Sequence, residues 1–227
     1  MPGTPSRHAT VTPRSSSVTI GGIAWMLSVW FFVAEALARA AWTIPYDWTE
    51  RFLSDLGNTS CQPFKYYTTD EYLPVCSPRH ALMNGSFILL GVLLIAGLVL
   101  TRRAWPPGRG TVVGRVLVAW VAVSWIVVGL APENENIIVH GLGAMGIFAV
   151  GNAGVLVLGL ATRGAPGWRV PAVLGLLAGA FGLVMAALFL FNQFLGLGLG
   201  TMERLAIYPL IVWAATTGAV MIAGRRR

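Results

Sequence analysis

The sequence predicts an all-α, polytopic membrane protein: a six-transmembrane-helix bundle with one disulfide-stapled outer loop. Three observations carry this prediction. Mean hydropathy is +0.69 and only 11% of residues are charged, which excludes an ordinary soluble domain. Six apolar runs alternate with short polar segments. Charge is also segregated between those segments. Arg7, Arg14, Arg102, Arg103, Arg109, Arg115, Arg163, Arg169 and Arg225, Arg226 and Arg227 fall in or beside alternate ones. The carboxylates Glu35, Asp47, Glu50, Asp55, Asp70, Glu71, Glu133, Glu135 and Glu203 occupy the intervening ones. Arginine stays on the cytoplasmic side during insertion, so both termini are expected inside.

Residues 1–18, rich in Pro, Ser, Thr and Arg, read as a disordered cytoplasmic tail. The membrane domain covers 19–224, and 225–227 form a basic cytoplasmic end. Span one is expected at 19–42, long enough for roughly 30 Å of hydrocarbon. Ala36-Leu37-Ala38 resembles a signal-peptide cleavage site. The apolar run is too long for a signal core, however, and Trp25 and Trp30 interrupt it, so it reads as a membrane helix. The long outer loop, 43–79, holds Pro45, Pro63, Pro74 and Pro78 and is not one helix. Span two is expected at 80–101, span three at 111–130, span four at 136–162, span five at 170–194 and span six at 202–223. Pro106-Pro107-Gly108, Pro132, Pro166-Gly167 and the glycines 196, 198 and 200 mark the turns between them.

Gly175, Gly179, Gly182 and Ala186 recur on one face of span five, and Ala214 and Gly218 repeat the device in span six. Lipid gives helices no hydrophobic drive to associate, so such faces serve close backbone packing within the bundle. Pro209 is expected to bend span six. No internal repeat supports an inverted-repeat transporter.

Cys61 and Cys76 lie in the outer loop, fifteen positions apart. In an exported compartment such a pair is expected to be oxidised, pinning the loop as a lid. A redox relay would need a C-x-x-C motif or a second pair, and the sequence has neither.

Ionisable groups at membrane depth are costly unless paired or functional. Glu35 and Arg39, one turn apart, are expected to form an ion pair. Asp55, His80, Glu133, His140, Asn192 and Glu203 come from different elements, yet all fall near the same depth. Thr201 is expected to cap span six, with Glu203 at its positive end. These groups predict an outward-facing polar pocket. Asp55, Glu133, His140 and Glu203 are its candidate catalytic groups, and Glu35, Arg39, His80, Asn192 and Arg204 its candidate binding groups. Carboxyls in low dielectric can act as proton donors. No H-x-x-x-H or H-E-x-x-H spacing signals zinc, and no metal is expected. This is also where the chain departs from membrane hydrolases related to alkaline ceramidases.

Ser54-Asp55-Leu56-Gly57, Met83-Asn84-Gly85, His140 and Gly200-Thr201-Met202-Glu203-Arg204 together resemble a prokaryotic six-span family, domain of unknown function 998. The resemblance covers nearly the whole chain. It implies a six-helix fold and singles out Ser54, Asp55, His140, Glu203 and Arg204, but supplies no activity. The cysteine-stapled loop departs from the family's shorter one.

The expected function is an integral protein of a bacterial cytoplasmic membrane that binds or processes a lipid or isoprenoid-type ligand. Two alternatives stand beside it: a non-catalytic accessory subunit presenting 43–79, and a small-solute transporter. The transporter would need polar groups along its whole path, and the inner halves of the spans offer chiefly Ser124, Thr216 and Thr217. No nucleotide, haem or flavin motif appears, so no cofactor is expected. The basic pI near 10.3 reflects topogenic arginine rather than nucleic-acid binding. Fifteen arginines against one lysine, with much Ala, Gly and Val, point to a GC-rich bacterial genome. Membrane lipids are the expected partners, and the sequence leaves oligomeric state open.

Overall fold

The computed structural model describes residues 16–65 and 72–224. Most of the expected tail, Asp70, Glu71 and the basic C-terminus lie outside the described residues. Six helices are long and apolar enough to cross a membrane: α1 (Ser16–Ala40), α2 (His80–Leu100), α3 (Arg109–Leu130), α4 (Ile137–Thr162), α5 (Arg169–Leu190) and α6 (Leu199–Ala223). The protein is a multi-pass membrane protein. Each helix packs on the next in the chain, and α6 returns to α1, so the bundle closes as a ring. One end, the loop face, gathers every carboxylate of the described residues. The opposite face carries Arg102, Arg103, Arg109, Arg163 and Arg169 in and beside its two short turns.

The turn between α5 and α6 lies earlier in the chain than the sequence suggested, at 191–198 rather than 195–201. Asn192 and Leu195 have φ of 56° and 54°, and Gly196 and Gly198 have 74° and 84°. These left-handed residues end α5 at Leu190, and α6 then begins at Leu199, ahead of the expected 202. Thr201 is therefore inside α6 and does not cap it; Gly198 holds the capping position.

Small residues seat α4 on α5. Gly175, Gly179, Gly182 and Ala186 are all buried on α5. A Cβ on Gly179 would lie 2.5 Å from the Leu156 backbone nitrogen, so the helices touch backbone to backbone there. The arginine half of the bundle is closed by tryptophans. The Trp25 ring lies 5.8 Å from Trp105 and 5.5 Å from Trp213, and Trp105 lies 4.4 Å from Trp168. Three of their indole N–H groups are satisfied: Trp25 donates to Leu94 O at 3.1 Å, Trp213 to Pro171 O at 3.1 Å and Trp105 to Thr101 Oγ1 at 3.0 Å.

The long loop turns back into the bundle. Ser54–Gly57 form a buried 3-10 turn. Ser77 Oγ donates to Leu56 O at 2.7 Å and Asn84 Nδ2 to Gly57 O at 2.8 Å, pinning the turn to α2. A Cβ at Gly57 would collide with the Asn84 side chain, so glycine is required by close approach. Beyond it, strands β1 (Gln62–Lys65) and β2 (Tyr72–Val75) pair antiparallel, Gln62 opposite Val75, and Cys61 is disulfide-bonded to Cys76 at their base. A loop of this size stabilises by about 3 kcal/mol through chain entropy. Replacing both cysteines with serine should leave helix content by circular dichroism unchanged. Limited proteolysis should then cut at β1 and β2 faster than it does in the oxidised protein.

Candidate functional site

Arg204 organises the loop face. It is buried on α6, and its Nε donates to Glu35 Oε1 at 2.8 Å. Nη1 lies 3.0 Å from each of the carbonyls of Trp48, Arg51 and Gly200, and Nη2 donates to Tyr46 OH at 2.7 Å. Tyr46 in turn donates to Phe52 O at 2.8 Å, and burial pushes this phenol above its ordinary pKa. Tyr208 OH donates to the other Glu35 oxygen at 2.5 Å. The expected Glu35–Arg39 pair is therefore corrected. Glu35 serves the buried guanidinium, which needs a counter-charge more than the exposed Arg39 does. This network folds 46–52 onto the bundle and aims 53–57 inward.

Beside it lies an acid cluster. Ser54 Oγ donates to Glu133 Oε2 at 2.7 Å, and the buried Asp55 carboxyl lies close enough for its charge to act on Glu133. Burial, then the neighbouring Asp55 charge, holds Glu133 well above the usual carboxyl range. Two buried carboxyls so close do not both ionise, because their charges would repel, so Glu133 keeps its proton beside Asp55. Glu203 reaches the same place from α6, where its Oε2 accepts the Leu53 backbone N–H at 2.5 Å. His140 Nδ1 lies 2.9 Å from Ala131 O. A carbonyl can only accept, so Nδ1 carries the hydrogen and Nε2 is the acceptor of the neutral ring.

Ser54, Glu133, His140 and Glu203 form the polar end of a cleft of about 520 Å³. Ile137, Ala144, Met145, Phe148, Phe189 and Leu190 form its apolar walls, and Phe64 and Lys65 of β1 cover it. Ile137, Met145 and Leu190 are exposed, so the cleft opens sideways where a membrane's hydrocarbon would be. Its origin is a change in α4. Gly146–Gly151 form one π-helical turn. Beyond that turn, 152–162 packs tightly on α5, whereas the cleft lies beside 137–145. Asn152 stabilises the change, donating to Phe148 O and across to Ala206 O on α6, both at 2.8 Å. Behind Ser54, Glu203 and His140 a second cavity of about 20 Å³, walled by Phe87, Trp125 and Val128, has room for one water.

The structure thus brings Asp55, Glu133, His140 and Glu203 together. It places His80 at the start of α2 with Nδ1 2.9 Å from Ser77 O, outside the cleft lining. Asn192 is an exposed turn residue and Arg39 an exposed residue near the end of α1. Glu35 and Arg204 support the site from the adjoining network. Among the described residues no group of three or more His, Cys, Asp or Glu could hold a metal ion.

A family model described as "Protein of unknown function (DUF998)" matches residues 26–220. The chain belongs to this family. No curated protein and no solved structure shows a significant match. The segments that carried the DUF998 resemblance occupy one place in the fold. Ser54 and Asp55 meet Glu133, Asn84 holds Gly57, and Gly200 presses on the loop while Glu203 and Arg204 bind it. Sequence reasoning missed Tyr46, Tyr208 and Asn152. Asn152 had a readable signal, being an amide in mid-span among Gly146, Gly151 and Gly154.

Proposed function

We propose that the protein binds, and chemically processes, an amphiphilic lipid or isoprenoid-type ligand in the side-opening cleft. The observation that carries this reading is the cleft's polarity: one long apolar trough ending in two acids, a serine and a histidine. A ligand's hydrocarbon would lie along Ile137, Met145 and Phe189, with its polar head at Glu133 and His140. The proton that Glu133 retains beside Asp55 serves as the acid, and His140 Nε2 as the acceptor. The arginine distribution supports a bacterial cytoplasmic membrane with both termini inside and the cleft in the outer leaflet.

Two observations favour this reading over the alternatives. Tryptophans close the bundle below the cleft, where a transport path would have to continue. The 54–57 turn is buried in the bundle rather than displayed, which disfavours a loop that mainly presents itself to a partner. Native mass spectrometry of gently extracted protein tests the proposal. Gly141 lines the cleft, and a Cβ there meets nothing within 4 Å. Gly141→Trp should therefore fill the cleft without disturbing the core. The wild type should carry an amphiphile that Gly141→Trp lacks, at an unchanged unfolding temperature. An empty wild type, or equal retention by the variant, would sink the reading.

A further inference from the structure

A second pair of cavities lies apart from the cleft, on the α1–α6–α5 side. The first, about 150 Å³, is bounded by Phe32, Glu35, Ala36, Arg39, Trp48 and Tyr208 near the loop face. The second, about 500 Å³, runs deeper between α5 and α6, past Leu174, Leu177, Phe181, Leu205 and Val212. Tyr208 borders both, so they lie next to each other with its side chain between them. The upper one is half polar in character, whereas the lower one is walled by hydrocarbon apart from the Tyr208 phenol.

The charges at the upper end are unequal. Both Glu35 oxygens are occupied, by Arg204 and by Tyr208. Arg39 is exposed, and its side chain makes no ion pair or hydrogen bond among the described residues. An unpaired guanidinium at the end of a spanning helix sits where phosphates of a bilayer lie, and its donor fork matches phosphate oxygens. Trp48, 43% exposed beside it, is the amphipathic type found at that level.

We propose that this groove is a binding site for an anionic phospholipid. The phosphate is held by Arg39 and Trp48, and one acyl chain descends past Tyr208 between α5 and α6. The site is separate from the cleft between α4 and α5, and its occupant is a lipid of the bilayer held by charge and shape.

The test is native mass spectrometry of the full chain in detergent, titrated with phosphatidylglycerol or with phosphatidylcholine of the same acyl chains. Wild type should bind one phosphatidylglycerol, with phosphatidylcholine weaker by about tenfold, the scale of one charge-assisted hydrogen bond. Arg39→Gln should erase that preference. Ala178→Phe narrows the apolar groove without touching the headgroup end and should lower affinity for both lipids, while Gly141→Trp should behave as wild type. Equal affinity for the two lipids in wild type, or a preference that survives Arg39→Gln, would overturn the proposal. So would full binding by Ala178→Phe, since a phosphate without its chain would then suffice.

Discussion

Replacing Arg204 with methionine is expected to cost about 3–5 kcal/mol of stability, the scale for removing one partner of a buried ion pair. Methionine preserves much of the side chain's length and apolar contact. What it removes is the set of donors to Glu35 Oε1, Tyr46 OH and the carbonyls of Trp48, Arg51 and Gly200. The Glu35 carboxylate would stay buried with only Tyr208 as donor. Lysine should restore little, since one ammonium cannot span acceptors arranged around a planar fork. Adding Glu35→Gln to Arg204→Met should recover part of the loss, because the stranded charge disappears. Thermal unfolding in detergent measures all three variants. If Arg204→Met unfolds within about 1 kcal/mol of wild type, the network is surface decoration of the ordinary exposed kind.

The six spans and the separation of charge were legible because hydrocarbon imposes length and polarity on every helix that crosses it. The depth argument worked for Asp55, Glu133, His140 and Glu203 for the same reason: topology alone puts them at one level. It failed for His80 and Asn192, since depth does not specify which side of a ring of helices a residue faces. The Glu35 partner was missed because spacing along one helix registers only neighbours four residues away. A guanidinium 169 residues distant is a matter of tertiary packing. Least legible was the cleft itself. It depends on one π-helical turn in α4, and the period of an apolar span carries almost no signal when both phases are equally greasy.

Glu133→Gln is expected to separate folding from chemistry at the acid pair. Glu133 is held well above the usual carboxyl range by burial and by the Asp55 charge. The folded protein therefore keeps a proton that the unfolded chain releases near about pH 4.3, the ordinary glutamate value. Above that point the folded state binds more protons than the unfolded state, so stability falls as pH rises until Glu133 ionises in place. Glutamine is neutral throughout. Its amide oxygen can accept from Ser54, and its NH₂ can donate to Asp55. Unfolding temperature in detergent should thus decline in the wild type as pH rises above the ordinary glutamate value, and decline less in Glu133→Gln. Asp55→Asn should flatten the same profile, because it removes the repelling charge. The cleft should still hold its amphiphile in Glu133→Gln, yet turnover of that ligand should drop by about 10²-fold or more, as when a general acid is lost. Parallel pH profiles in wild type and both variants would mean Glu133 does not retain its proton in the folded state, and the acid role assigned to it would fall with that.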